Sequence, residues 1–113
     1  MAATLLYVTA GSEEEALSIG RALVEARLAA CANVIPATTS VYWWEGAVQQ
    51  EAESVLIVKT REALVETVTE RIRALHGYEC PCVLALPIAG GHQPFLDWVE
   101  EETREAEDSP AGR

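Results

Sequence analysis

Basic residues are scarce in this 113-residue chain: 8 Lys and Arg stand against 18 Asp and Glu, for a formal net charge of −10. That balance argues against DNA, RNA and anionic lipid as partners, because each is gripped through a basic surface. Long apolar runs are missing too. None reaches the ~18–20 residues that a helical membrane span needs. There are only 3 cysteines, with no framework of paired spacings. An odd, unpatterned set of thiols excludes a disulfide framework and leads us to expect a reducing, cytoplasmic setting. The opening stretch MAATLLYVTAG has no basic n-region and reads as a strand, not as a signal peptide. Phosphate-cradling glycine patterns, G-x-S-x-G and H-E-x-x-H are all absent.

Half of the residues are hydrophobic, enough to build a core. We expect a single domain over residues 1–108 and a flexible tail over 109–113. Residues 4–9 (TLLYVT) read as a buried strand. Ser12-Glu-Glu-Glu15 has the form of a capping box, and an apolar stripe of Ala16, Ile19, Leu23, Ala26 and Ala30 predicts an amphipathic helix over 13–29. Residues 31–44 and 47–59 read as two strands joined by a Glu45-Gly46 turn, a long hairpin with Pro36 marking a bulge or an edge. Thr60 is expected to cap a helix over 61–75, closed by Gly77. A fourth strand is expected over 82–89, with Pro87 at an edge or bulge, and an acidic helix from about Gln93. Between Asp97 and Asp108 there are seven acids and one base; scattered carboxylates on a helix read as a solvated face.

The order β-α-β-β-α-β plus a C-terminal helix predicts an α+β, ferredoxin-like fold: a four-stranded antiparallel sheet with two helices on one face. The long hairpin outruns what two helices can shelter. Alternation sends Tyr42 and Trp44 to one face and Val41 and Trp43 to the other. Both faces want cover, so Val41, Tyr42, Trp43 and Trp44 are expected to form an interface between copies of the chain. Packing within one subunit is the other reading of the Trp pair. Sister folds do their chemistry at the first strand–helix turn, with C-x-x-C in copper chaperones and a phosphate loop in acylphosphatases. Here that position holds Thr9-Ala-Gly-Ser-Glu-Glu14, a helix cap whose acids repel phosphate.

Several stretches taken in order carry a resemblance: Leu28-Ala-Ala-Cys31-Ala-Asn33, Ser40-Val-Tyr42-Trp43-Trp44-Glu45-Gly46, Lys59-Thr60, His76-Gly-Tyr78-Glu79-Cys-Pro81, Leu86-Pro87 and Leu96-Asp97-Trp98. Together they resemble the CutA family of divalent-cation tolerance proteins, over roughly residues 4–100. The resemblance implies a homotrimer built by edge-to-edge pairing of long hairpins, similar to the PII signalling proteins. It further implies a cytoplasmic role in tolerance of copper and other divalent metals without catalysis. Clefts between subunits would be lined by Tyr42, Trp44, Lys59, His76, Tyr78 and Glu79.

The soft metal ligands are few. Cys80-Pro81-Cys82 is a C-x-C pair which, on a strand, would face one way; with His76 nearby it is a candidate site for a weakly bound copper or other divalent cation. Two small apolar side chains in a strand is the alternative. Cys31 is a lesser candidate for metal, or for a nucleophile with His76 as its base. Some members of the resembled family are credited with copper ligation by a Cys on the first strand and a His-His pair. Val8, Leu75 and His76 hold those positions here, so that site cannot form. Lys59 is expected to pair with an acid such as Glu79 or to hold a small anion. A PII-like small-ligand sensor or an interaction scaffold, with metal incidental, is the second reading of the whole chain.

Overall fold

The structure, a computed structural model, describes residues 2–108; the expected tail at 109–113 lies outside them. Four strands, β1 (Ala3–Ala10), β2 (Cys31–Trp44), β3 (Ala47–Arg61) and β4 (Val83–Pro87), form one antiparallel sheet in the order β2-β3-β1-β4. The helices are α1 (Glu13–Glu25), α2 (Val65–Leu75) and α3 (Gln93–Asp108). This is the α+β, ferredoxin-like plan read from the sequence.

Strand alternation divides the sheet into two faces. Leu6, Val8, Leu56 and Val58 turn to α1 and α2, where they meet Ile19, Leu23, Val68 and Ile72 in the core. All eight are buried, and each such side chain contributes about 1.5–3 kcal/mol by leaving water. Gly20 lets α1 lie close to the sheet, since a Cβ there would meet Leu56 Cδ1 at 3.0 Å and Ala32 Cβ at 3.1 Å. Leu5, Tyr7, Ile57 and Lys59 face the other way. There α3 lies across one end, held by Arg61, which donates to Thr103 Oγ1 at 2.8 Å and to the Thr103 carbonyl at 3.1 Å. Arg27 adds an ion pair to Glu102 at 2.6 Å.

Element boundaries differ from the expected ones for local reasons. The stripe predicted a helix to residue 29, but α1 stops at Glu25 because Arg27 takes a left-handed φ of 65°. The Leu28 amide then bonds to the Leu23 carbonyl and the Arg27 amide to that of Val24, a Schellman closure. Leu28 stays buried beside Leu23, so the apolar pattern ran on past the helix. Thr60 is no helix cap. It is the penultimate residue of β3, and its hydroxyl donates to the Leu28 carbonyl at 2.7 Å. A short 3-10 turn (Glu62–Leu64) precedes α2. Nor does Gly77 close α2: extended His76 does, and the Gly77 amide goes to Glu15. The fourth strand begins at Val83, so Cys80 and Cys82 lie ahead of it and are not strand neighbours.

The hairpin is as long as expected. β1 pairs with β3 only over Ser54–Arg61, whereas β2 and β3 remain paired out to Trp44 and Ala47. The arm 38–53 therefore overhangs the sheet. Glu45 and Gly46, both at positive φ, make its two-residue turn. Pro36 and Ala37 stand opposite the single residue Ser54, a bulge in edge strand β2, as the proline led us to expect. Val41, Trp43 and Trp44 on the arm are 65%, 73% and 50% exposed.

Candidate functional site

Where the arm leaves the sheet, a cleft of about 490 Å³ opens. It brings together Tyr42, Trp44, Tyr78, Glu79, Cys80 and Cys82 from the expected set, and adds Thr9, Ser40, Glu51 and Glu53. The walls come from four places. β2 supplies Ser40, Tyr42 and Trp44 at a spacing of two, on one side of the strand. β3 supplies Glu51 and Glu53, which that register places beside them. Thr9 ends β1, and the loop before β4 supplies residues 78–82.

Two tyrosine–glutamate pairs shape the cleft. Tyr78 donates its hydroxyl to Glu53 Oε2 at 2.8 Å, and Tyr42 donates to Glu51 Oε1. Burial, then the bond to Glu53 and the surrounding negative charge, raises the Tyr78 pKa well above the usual phenol value. Tyr42 is pushed up to about 12, chiefly by its bond to Glu51. Both rings therefore stay uncharged beside carboxylates. The acids of β3 escaped the sequence reading because nothing local marks them; the signal was their register against Ser40 and Tyr42, which a hairpin of known turn fixes.

His76 does not join the cleft. Its side chain is 0% exposed. Nε2 donates to the Thr9 carbonyl at 2.7 Å and Nδ1 accepts the Tyr78 amide at 3.0 Å, so both ring nitrogens are engaged. The ring also stacks against Tyr78, with centroids 4.7 Å apart. The expected His76–Cys80–Cys82 constellation is corrected accordingly: His76 sets the loop that carries Tyr78, and the two cysteines stand without it. Cys80 is exposed and Cys82 half-buried, both free thiols. Among the described residues no three His, Cys, Asp or Glu side chains are grouped to hold an ion.

Cys31 lies elsewhere, in a groove between α1 and β2 shared with Trp98. His76, its expected base, is committed to Thr9 and Tyr78, and the thiol instead donates to Asn33 Oδ1 at 3.8 Å. Lys59 is also displaced from its expected place in the cleft. Its ammonium lies over the ring of Phe95 on α3, 5.7 Å from the centroid, a cation–π contact. With no lysine, arginine or histidine in its walls, the cleft disfavours anions and favours cations.

These features define a class: a ferredoxin-like subunit whose overhanging hairpin, and not a catalytic loop between β1 and α1, walls the cleft. The chain belongs to the CutA1 divalent ion tolerance protein family, whose model matches residues 4–102. It is 45% identical over 102 residues to a rice (Oryza sativa subsp. japonica) protein, "Protein CutA 1, chloroplastic", covering 90% of this chain and 58% of that one. It is 46% identical over 99 residues to the divalent-cation tolerance protein CutA of Thermus thermophilus, covering 88% and 96%. The crystal structure of CutA1 from Oryza sativa superposes with a TM-score of 0.90 at 44% identity, covering 93% of this chain and 96% of that chain. The chain spans little more than half the length of the plant relatives it matches, 58% and 55%. No helix among the described residues is long and apolar enough to cross a membrane.

Proposed function

We propose that this protein acts in divalent-metal tolerance as a homotrimer without catalytic activity, its subunits joined through the overhanging hairpins. One observation supports the assembly above all: the arm 38–53 carries Val41 and Trp43, on the Leu56 and Val58 side of the hairpin, out past the sheet and leaves them at 65% and 73% exposure. Large apolar side chains clustered on a projecting two-stranded arm fit an interface between copies. β2 and β4, both sheet edges, offer unpaired backbone groups for the same purpose.

The metal role is carried by Cys80 and Cys82 on the cleft rim, which offer thiolates to a copper-type soft ion, with Glu79 beside them. Two thiols make a weak or transient site, suited to response and buffering more than to storage. Three free thiols suit a reducing compartment such as the cytoplasm. Light scattering tests the assembly: a mass three times 12.3 kDa is expected, and a mass near 12.3 kDa overturns it. Calorimetry with Cu(I) and Zn(II) tests the metal role. Binding that is no tighter than millimolar, or that survives Cys80→Ser/Cys82→Ser unchanged, overturns the assignment.

A further inference from the structure

The cleft beneath the hairpin has two kinds of wall, aromatic rings from Tyr42, Trp44 and Tyr78 and carboxylates from Glu51 and Glu53. Glu53 is only 9% exposed, and its hydrogen-bond partner is the uncharged Tyr78 hydroxyl. A carboxylate so buried is costly without a positive counterpart, and the cleft lining provides none. A bare hard cation does not answer it, because such an ion needs about six oxygens around one point, and no ligand group of that kind exists among the described residues. A cation of diffuse charge with an apolar skin does. It can lie against ring faces, which attract it through their quadrupoles, while a carboxylate balances its charge at longer range. Both tyrosine hydroxyls are already given to Glu51 and Glu53, which fixes the rings.

We propose that this cleft binds a small quaternary ammonium compound, held by the faces of Tyr42, Trp44 and Tyr78 and balanced by Glu53 and Glu51. The volume of about 490 Å³ lies within the range of small-molecule sites, roughly 300–1,000 Å³. This ligand class is separate from the metal role, which depends on the thiols.

The test is a titration of the full chain with choline and with its neutral carbon isostere, dimethylbutanol, at fixed ionic strength, read by calorimetry and tryptophan fluorescence. Saturable binding of choline, at least about tenfold tighter than the isostere, is expected from the charge–ring attraction. Trp44→Ala and Glu51→Gln, both at exposed positions, should each weaken it several-fold, and Glu53→Gln more, where that variant folds. Trp98→Ala on α3 should leave it unchanged. Equal affinity for choline and the isostere, no saturation, or full affinity in both Trp44→Ala and Glu51→Gln overturns the proposal.

Discussion

Glu15 and Gly77 stand 62 residues apart in sequence and are joined by a hydrogen bond of 2.8 Å from the Gly77 amide to Glu15 Oε2. The other oxygen of the same carboxylate accepts the Gly11 amide at 3.0 Å. One side chain in the first turn of α1 thus fastens the loop that carries His76 and Tyr78 to the end of β1. The capping box foreseen in the sequence is half present. Ser12 Oγ accepts the Glu15 amide at 3.0 Å, but the carboxylate reaches past Ser12 to Gly11.

Glu15→Ala should lower the unfolding free energy by about 1.5–3 kcal/mol, the range for hydrogen bonds to a charged group, and nearer the lower end because these bonds are partly exposed. Gly77→Ala should destabilise as well, since its Cβ would sit 3.0 Å from Glu15 Oε2. Urea unfolding of the two variants checks both, and a double variant should lose less than the sum.

Tyr78 predicts a loss of stability in alkali. Its folded pKa lies above the ordinary phenol value of about 10, so folding favours the protonated ring. The resulting stability is complete below about pH 10 and is lost as pH rises through the folded pKa. Denaturation midpoints followed from about pH 9 to 11 should fall more steeply in wild type than in Tyr78→Phe. Phenolate absorbance should show two of the tyrosines titrating late, at Tyr42 and Tyr78.

The sequence disclosed the fold because its signals were local and repeated. Ser54-Val-Leu-Ile-Val-Lys59 could only be a strand, and Glu45-Gly46 marked its turn. The apolar pattern overruns the end of α1 because Leu28 is buried like a helix residue while Arg27, with no glycine to announce it, turns the chain. The cleft was half legible. Tyr42, Trp44, Tyr78, Glu79, Cys80 and Cys82 stand out in the sequence, but Glu51 and Glu53 become visible only when strand register is fixed. Spacing places His76 near the cysteines but carries no sign of its hydrogen bonds, which take its nitrogens to Thr9 and Tyr78.

Trp43→Asp should shift the assembled protein toward monomer. A charge at a 73% exposed position costs an isolated subunit little, whereas inside an apolar interface it would be strongly unfavourable. Sedimentation against concentration reads the shift; an unchanged mass would show that the arm is not the joint.

His76 and the cysteine pair should separate cleanly by substitution. His76→Asn is expected to lower thermal stability, through loss of the 2.7 Å bond to the Thr9 carbonyl and of packing on Tyr78, by about 1–3 kcal/mol. It should leave Cu(I) affinity within about twofold, equivalent to a few tenths of a kcal/mol. Cys80→Ser/Cys82→Ser should do the reverse.

The bulge at Pro36–Ala37 reaches further than its size suggests. Ahead of it, the odd-numbered residues of β2, among them Cys31 and Ile35, share the side of Lys59 and Val55; beyond it, the even-numbered Ser40, Tyr42 and Trp44 share the side of Glu53 and Glu51. One surplus residue exchanges the parity of the whole arm. Were the same residues paired to β3 without the bulge, 37 opposite Glu53 and Val41 opposite Gln49, Val41 and Trp43 would turn into the cleft, and Tyr42 and Trp44 would turn to the opposite side. A single position in the backbone thus allots each ring of the hairpin either to the cleft or to the face offered to a neighbouring copy.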